Sequence, residues 1–315
     1  MTEMKRVMIT GATGFIGSHL VKRLLKDGFE VGIIKRTESD TWRIEDSISK
    51  IKAYDANLSD TGGVSSAFSD FRPDAVFHLA TYYAVNHRSD EIKSMMGANT
   101  TGAINLLEAS REHGTRLFVN TSTAFVYKAS DGKLTEESEL EPVNLYALTK
   151  IYAEQACDFY TKNGSLRAVT LRLFPPYGPA DHKRKLIPHS IRSMMDGETQ
   201  KMTTGKQKWD FVYVEDIVDA YMKLLSSRKF PSRHEVFNIG TGKAVSVKDV
   251  VNKIREIVGS GNPQWDALEH RSNEVWLCCA DISKAERMLG WHPKNMVLET
   301  GLKLTIDWYK KGGGK

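Results

Sequence analysis

Cysteine is scarce: only three occur in 315 residues, Cys157, Cys278 and Cys279. An odd number, two of them adjacent, makes no disulfide framework, and a reducing, cytoplasmic setting is the natural expectation. No Cys-x-x-Cys pair or Cys/His cluster has zinc-ligand spacing, so no metal is expected. No apolar run reaches membrane-spanning length, and the chain enters Val7-Met8-Ile9 with no room for a signal peptide, so no membrane association is expected either. Blocks of like charge are also missing. Lys and Arg number 44 against 39 Asp and Glu, a net charge of +5, but the cations are scattered. Such mild basicity suits anionic small molecules and argues against nucleic acid. There is no internal repeat, and the only low-complexity stretch is Gly312-Gly313-Gly314-Lys315, which reads as a flexible tail.

What is present is an ordinary globular composition, 41% hydrophobic and 26% charged, long enough for one large domain or two joined ones. Short β-branched or apolar runs at Val7–Thr10, Glu30–Ile34, Ile51–Tyr54, Ala75–Leu79, Leu117–Thr121 and Ala168–Leu173 read as strands. Between them lie helical spacings such as Ile16, Leu20 and Leu24, with Gly28 as a stop. This alternation predicts an α/β fold with a doubly wound parallel sheet over residues 1–174, joined by a strand near 235–240. After Pro175 the rhythm changes, and residues 175–315 read as a smaller, mixed α/β C-terminal domain. Its expected helices are Ile187–Asp196, Asp216–Leu225, Val247–Val258, Ser283–Leu289 and Leu298–Tyr309. Two of them open on capping-box patterns, Ser246-x-x-Asp249 and Ser283-x-x-Glu286.

The first strand runs into Thr10-Gly11-Ala12-Thr13-Gly14-Phe15-Ile16-Gly17 and then into a helix. Glycines there allow a tight turn, close approach of the backbone to a pyrophosphate, and close helix–strand packing. The helix N-terminus offers free N–H groups and a positive dipole end to the phosphates. The second strand ends Ile34-Lys35-Arg36-Thr37, with no carboxylate before Glu38. A carboxylate there would take a ribose 2′-hydroxyl, whereas cations attract a 2′-phosphate. The spacing therefore favours NADP(H), with NAD(H) as the alternative.

Tyr146 and Lys150 stand four apart at the start of a helix, on one face. An ammonium beside a phenol stabilises the phenolate and lowers its pKa from about 10, which suits proton transfer at a hydroxyl near neutral pH. Upstream, Asn120-Thr121-Ser122-Thr123 ends a strand at the sheet edge where ligands bind in parallel sheets.

These pieces make the chain resemble the extended short-chain dehydrogenases/reductases, the NAD-dependent epimerase/dehydratase group, over nearly its full length. The resemblance is carried by Thr10–Gly17, Asp55-Ala56-Asn57-Leu58, His78-Leu79-Ala80-Thr81, Asn99, Thr121–Tyr127, the Tyr146/Lys150 pair, Arg172-Leu173-Phe174, Tyr177-Gly178-Pro179, Asp210–Asp216, Phe237–Gly240 and Leu289-Gly290-Trp291. It implies a Rossmann domain followed by a substrate-binding domain. It also implies Thr123, Tyr146 and Lys150 as the catalytic group. The cofactor would be held by Gly11, Thr13, Gly14, Phe15, Ile16, Gly17, Lys35, Arg36, Asp55, Ala56, Leu79, Ala80, Thr81, Asn99 and Thr121, with Tyr146 and Lys150 at its nicotinamide end. The substrate would meet Thr123, Tyr146, Lys206, Trp209 and Arg271. Related 4,6-dehydratases carry an acidic pair after the catalytic hydroxyl; here Ala124 and Phe125 follow Thr123, which argues against dehydration. The Lys35-Arg36 segment resembles that of deoxysugar reductases. The resemblance thus implies a homodimeric NAD(P)-dependent enzyme acting on a nucleotide sugar, favoured as a 4-ketoreductase. The alternatives are a 4-epimerase, a dehydrogenase of a non-nucleotide alcohol or ketone, and an inactive NAD(P)-binding regulator. Two departures stand out: Pro175 and Trp209 replace an Asn and an Arg that touch the substrate diphosphate in many relatives, while Arg271 keeps the other arginine position.

Overall fold

A computed structural model describes residues 4–162, 165–227 and 230–314. The chain divides into two compact units, each discontinuous in sequence. The first comprises Met1–Lys128, Glu139–Arg172 and Val218–Phe237; the second comprises Ala129–Ser138, Leu173–Ile217 and Asn238–Lys315.

The first unit is built on a seven-stranded sheet. Its strands are β1 (Arg6–Thr10), β2 (Glu30–Lys35), β3 (Lys52–Asp55), β4 (Ala75–His78), β5 (Leu117–Thr123) and β6 (Arg167–Leu173), with His234–Ile239 as the seventh. Their spatial order is seventh–β6–β5–β4–β1–β2–β3. The pairings of β1 with β2 and β4, of β2 with β3 and of β4 with β5 are all parallel. Every residue of β4 and β5 is buried, as in strands covered on both faces. Helices α1 (Phe15–Lys26), α2 (Thr61–Phe71), α3 (Ile92–Met96), α4 (Gly102–Glu112) and α5 (Leu145–Thr161) connect the strands. α1 buries Gly17, Ser18, Leu20, Val21 and Leu24, and ends where Gly28 takes φ +82° and Phe29 N–H returns to the Leu24 carbonyl. The strand order reverses at β1, which has β2 on one side and β4 on the other. The adjacent carboxyl ends of β1 and β4, in register at Thr10 and His78, therefore flank the crevice where such sheets bind ligands.

The second unit carries helices Leu186–Met195, Val247–Val258, Ser283–Leu289 and Leu298–Lys310 with short two- and three-residue strands. Ser246 caps its helix by accepting the Asp249 N–H at 3.0 Å, and its hydroxyl donates to the Asp249 carboxylate. The second expected capping box does not form. Ser283 lies inside its helix, whose N-cap is Ile282, and its N–H is taken by the Asp281 carboxylate at 2.9 Å. Both donors of the expected box are thus taken elsewhere: the Ser283 N–H that the Glu286 side chain would accept goes to Asp281, and the Glu286 N–H that the Ser283 hydroxyl would accept goes to the Ile282 carbonyl. At the glycine tail, Gly312 and Gly313 donate to the Tyr309 and Trp308 carbonyls, ending the last helix with Gly312 at φ +85°.

Asp210 ties this unit together. Fully buried, its carboxylate accepts the N–H groups of Thr241 and Gly242 at 2.8 and 2.9 Å, the Ala280 N–H at 3.2 Å, and the Thr241 hydroxyl. Three chain segments thus converge on one carboxylate, which explains why an acidic residue stands in an otherwise apolar stretch. Asn in its place would turn one acceptor oxygen into a donor facing donors. Asp210→Asn should therefore cost about 2–3 kcal/mol, read as a lower urea midpoint at unchanged m-value.

Candidate functional site

The glycine loop leaves no room for side chains. Gly11 has φ +73°, and a Cβ there would stand 2.5 Å from the Ala80 nitrogen. At Gly17 a Cβ would stand 2.2 Å from the Gly11 carbonyl oxygen. The backbone of β1, the loop and the first turn of α1 are in direct contact, and the Gly14 N–H closes the loop onto the Gly11 carbonyl at 3.0 Å. α1 begins at Phe15 with no side-chain cap and no acidic residue in its first turn. Thr13, Gly14, Phe15 and Ile16 are all partly exposed. A cradle of bare backbone ending in an uncapped helix fits a dinucleotide pyrophosphate.

At the next strand ends, Lys35 and Asp55 sit opposite each other in the parallel register and form an ion pair. The Ala56 N–H extends the ladder to the Lys35 carbonyl. Arg36 is exposed, its guanidinium 3.2 Å from Glu38, and its N–H is held by the Ser39 hydroxyl at 3.1 Å. Of the two expected phosphate-attracting cations, Lys35 is thus engaged by Asp55, while Arg36 lies on a solvent-facing turn. Arg43, which the sequence reading passed over, stacks 4.4 Å over Trp42 and reaches the Thr13 carbonyl of the glycine loop at 3.5 Å.

The segment after β4 is anchored by Asn99, which sits in a single π-helical turn between α3 and α4 and is fully buried. Its carbonyl oxygen accepts the Thr81 hydroxyl and the Tyr82 N–H; its amide donates to the Tyr82 carbonyl and, at 3.0 Å, to the Thr149 hydroxyl. Thr149 lies between Tyr146 and Lys150 on α5. Asn99 therefore braces the loop carrying Leu79, Ala80 and Thr81 against that helix. Leu79 and Ala80 in turn donate their N–H groups to the Thr10 carbonyl and hydroxyl.

α5 is capped by Asn144, which accepts the Ala147 N–H at 2.9 Å, so Tyr146 and Lys150 occupy its first turns. Thr123 is the last residue of β5, against which α5 packs. All three are buried, Lys150 to 2% exposure. Its ammonium lies 5.8 Å from the centre of the Tyr146 ring. Burial lowers the Lys150 pKa to about 8, against the pull of Glu154 one turn on. The Tyr146 phenol behaves otherwise than the four-residue spacing suggests: burial and then neighbouring Tyr83 push its pKa up, and the Thr81 hydroxyl only partly offsets them. Loss of water, which disfavours the phenolate, is the largest influence on the ring. Tyr83, which sequence reasoning missed, meets the Tyr146 ring edge-on at 4.9 Å while half of its own surface stays exposed. Its position two residues after Thr81, in the segment that follows β4, was the available signal. Thr121, one of the expected cofactor contacts, hydrogen-bonds the buried Tyr221 hydroxyl. A surface cleft of about 490 Å³ lined by Ile151, Phe159, His234, Glu154 and Arg172 reaches none of Thr123, Tyr146 and Lys150.

The remaining expected residues belong to the second unit. Trp209 donates its indole N–H to the Val275 carbonyl at 2.8 Å and stacks near Phe211, so its polar group is engaged by the protein. Lys206 and Arg271 are exposed, and the Arg271 side chain has no ion-pair partner among the described residues.

Residues 7–240 match the family described as NAD dependent epimerase/dehydratase family. The chain is 28% identical to UDP-glucose 4-epimerase of Lactobacillus helveticus over 97% of both chains. It is 30% identical to CDP-abequose synthase of Salmonella muenchen over 96% of this chain and 97% of that one. Its fold superposes on the crystal structure of UDP-glucose 4-epimerase from Thermotoga maritima, solved with UDP-glucose, with a TM-score of 0.90 and 29% identity over 98% and 99% of the two chains.

Replacing a helix glycine with alanine ordinarily stabilises by about 1 kcal/mol. At Gly17 the sign should reverse, because the added methyl overlaps the Gly11 carbonyl and overpacking costs about 1–3 kcal/mol. Gly17→Ala should lower the melting temperature and weaken NADH binding in a fluorescence titration; a raised melting temperature would contradict the backbone contact.

Proposed function

The chain belongs to the NAD-dependent epimerase/dehydratase family, and from that premise we propose that it is a 4-epimerase of a nucleoside-diphosphate sugar. It is an NAD-dependent enzyme of the extended short-chain dehydrogenase kind. The observation that carries the proposal is the buried Tyr146/Lys150 pair on α5 together with Thr123 followed by Ala124 and Phe125. That set moves one proton at one oxygen and has no second acid or base for expelling a neighbouring hydroxyl.

The glycine cradle of Gly11, Gly14 and Gly17, with Thr13, Phe15 and Ile16, would hold the pyrophosphate of NAD; the strand ends at Asp55 and Ala56 would hold its adenosine end. When bound, NAD would supply a hydride acceptor for C4 and the same hydride for its return. Tyr146, neutral in the unliganded protein, would act once its own proton has been drawn off to solvent with dinucleotide and sugar bound: as phenolate it takes the proton of the C4 hydroxyl as the C4–H electron pair leaves, and returns it when C4 is reduced from the opposite face. Thr123 holds the C4 oxygen by a hydrogen bond. Lys150 keeps positive charge beside the phenol, and its pKa of about 8 leaves it charged near neutrality. Arg271 and Lys206, exposed cations of the second unit, are the groups we assign to the substrate diphosphate. The resemblance to UDP-glucose 4-epimerases supports inversion rather than net reduction.

A second reading, 4-ketoreduction with NADPH, is favoured by the basic turn at Arg36 and the likeness to CDP-abequose synthase. The two readings differ in stoichiometry. Given UDP-hexoses, an epimerase interconverts C4 epimers, seen by proton NMR, with no net change in reduced nicotinamide; a reductase consumes one NADPH for each ketone reduced. In either assay Tyr146→Phe should lower turnover by about 10²–10⁴-fold while NADH binding survives. Near-normal turnover would remove Tyr146 from its role.

We also propose a homodimer that packs through α4 and α5, where Ile104, Tyr152 and Phe159 are exposed, Phe159 by 69%. Tyr152 and Phe159 lie seven apart on one face of α5. Phe159→Glu should shift the protein toward monomer in analytical ultracentrifugation without lowering its helical content.

A further inference from the structure

A buried polar network lies directly behind the candidate group. Glu154 stands one turn beyond Lys150 on α5. Its carboxylate accepts the Ser122 hydroxyl at 2.5 Å and the Arg172 guanidinium at 2.6 and 3.2 Å, with the two side chains only 7% and 5% exposed. From β6, Arg172 also donates to the Tyr127 hydroxyl at 2.9 Å. Ser122 immediately precedes Thr123, and Tyr127 follows it by four residues. Between them the Thr123 hydroxyl accepts the Phe125 N–H at 3.3 Å, so one tight turn sets its direction.

A buried ion pair is a poor source of stability, since apolar residues of the same volume often do as well or better. Its use lies elsewhere. We propose that Glu154 and Arg172, with Ser122 and Tyr127, are positioning residues that clamp both ends of the Thr123 turn to the helix carrying Tyr146 and Lys150. The inference rests on the proton-transfer reading of Thr123 and Tyr146 given above. Its physical content is a tolerance. Thr123 arrives on a strand end and Tyr146 on a helix, and a misplacement of about 1 Å between reacting groups costs about 10²-fold in rate. β6 supplies the guanidinium whose planar fork spans both: two donors go to the α5 carboxylate and one to the phenol closing the turn.

The test is a double-mutant comparison. Glu154→Gln should lower kcat by about 10–100-fold, with KM and NADH affinity nearly unchanged, in the otherwise natural chain. In a Thr123→Val background the same change should lower kcat by less than about threefold, because no hydroxyl remains to be misplaced. Equal factors in both backgrounds, or an undiminished kcat for folded Glu154→Gln, would overturn the inference. Should Glu154→Gln not fold, Tyr127→Phe and Ser122→Ala, which each remove a single hydrogen bond, carry the same comparison, with the smaller kcat losses again vanishing in the Thr123→Val background. Full activity of Thr123→Val by itself would instead overturn the underlying reading of Thr123.

Discussion

The structure of the first unit depends on a contact between backbones. Where β1 ends, Gly11 lies so close to Ala80, just past β4, that no Cβ fits between them. This approach is possible only with φ +73° at Gly11 and a second bare position at Gly17, where α1 crosses the same carbonyl. Two strand ends and a helix end therefore meet at one point. Thr10 joins them chemically: its carbonyl and hydroxyl take the Leu79 and Ala80 N–H groups, and its hydroxyl also pairs with His78 at 2.8 Å. Burial pushes the His78 pKa down to about 3, so this ring stays neutral and the hydrogen bond is undisturbed by pH across the physiological range.

From that point the polar residues continue across the carboxyl edge of the sheet and stay buried. Asn99, Thr121, Ser122, Thr123, Lys150, Glu154 and Arg172 are all less than one-tenth exposed. Leaving any of them without a partner would cost more than a typical apolar contact contributes. The chain answers by giving the side chains that face one another complementary donors and acceptors. Asn99 uses both ends of its amide, and Glu154 uses both oxygens. A core this polar is a constraint on geometry more than a reservoir of stability, which is what a site for moving one proton requires.

The sequence made the sheet, the glycine cradle and the Tyr146/Lys150 pair legible, because each rests on a local pattern: alternating apolar runs, a spacing of glycines, two side chains one helical turn apart. What it hid were the long-range partners. Nothing in Ile34-Lys35-Arg36 shows that Lys35 will face Asp55 across a parallel ladder and be engaged there, twenty residues away. Nor does the turn beyond Lys150 reveal that Glu154 will find Arg172 on β6. The failed capping box at Ser283 is the same lesson at short range, since Asp281 takes the N–H that the Glu286 side chain would need. The raised Tyr146 pKa is its electrostatic form. Spacing gives the ammonium's position, while burial, which the spacing leaves open, decides the direction.

That direction has a consequence for charge balance. Lys150, Glu154 and Arg172 form a run of plus, minus and plus inside the protein, one positive charge in excess. Glu154 is shared between the two cations, so neither is fully neutralised, and burial makes the uncompensated part felt over a longer range than in water. Against this, loss of solvent disfavours an anion on Tyr146. A phenolate formed there would cancel the excess charge, whereas a neutral phenol leaves it standing. The site thus holds Tyr146 neutral at rest by dehydration, while an interior cation waits to offset the negative charge when the proton is drawn away. The same arithmetic disfavours an acidic pair after Thr123: two further carboxylates would drive the interior negative and raise the cost of ionising Tyr146. Ala124 and Phe125 keep the balance that a single, reversible proton transfer needs.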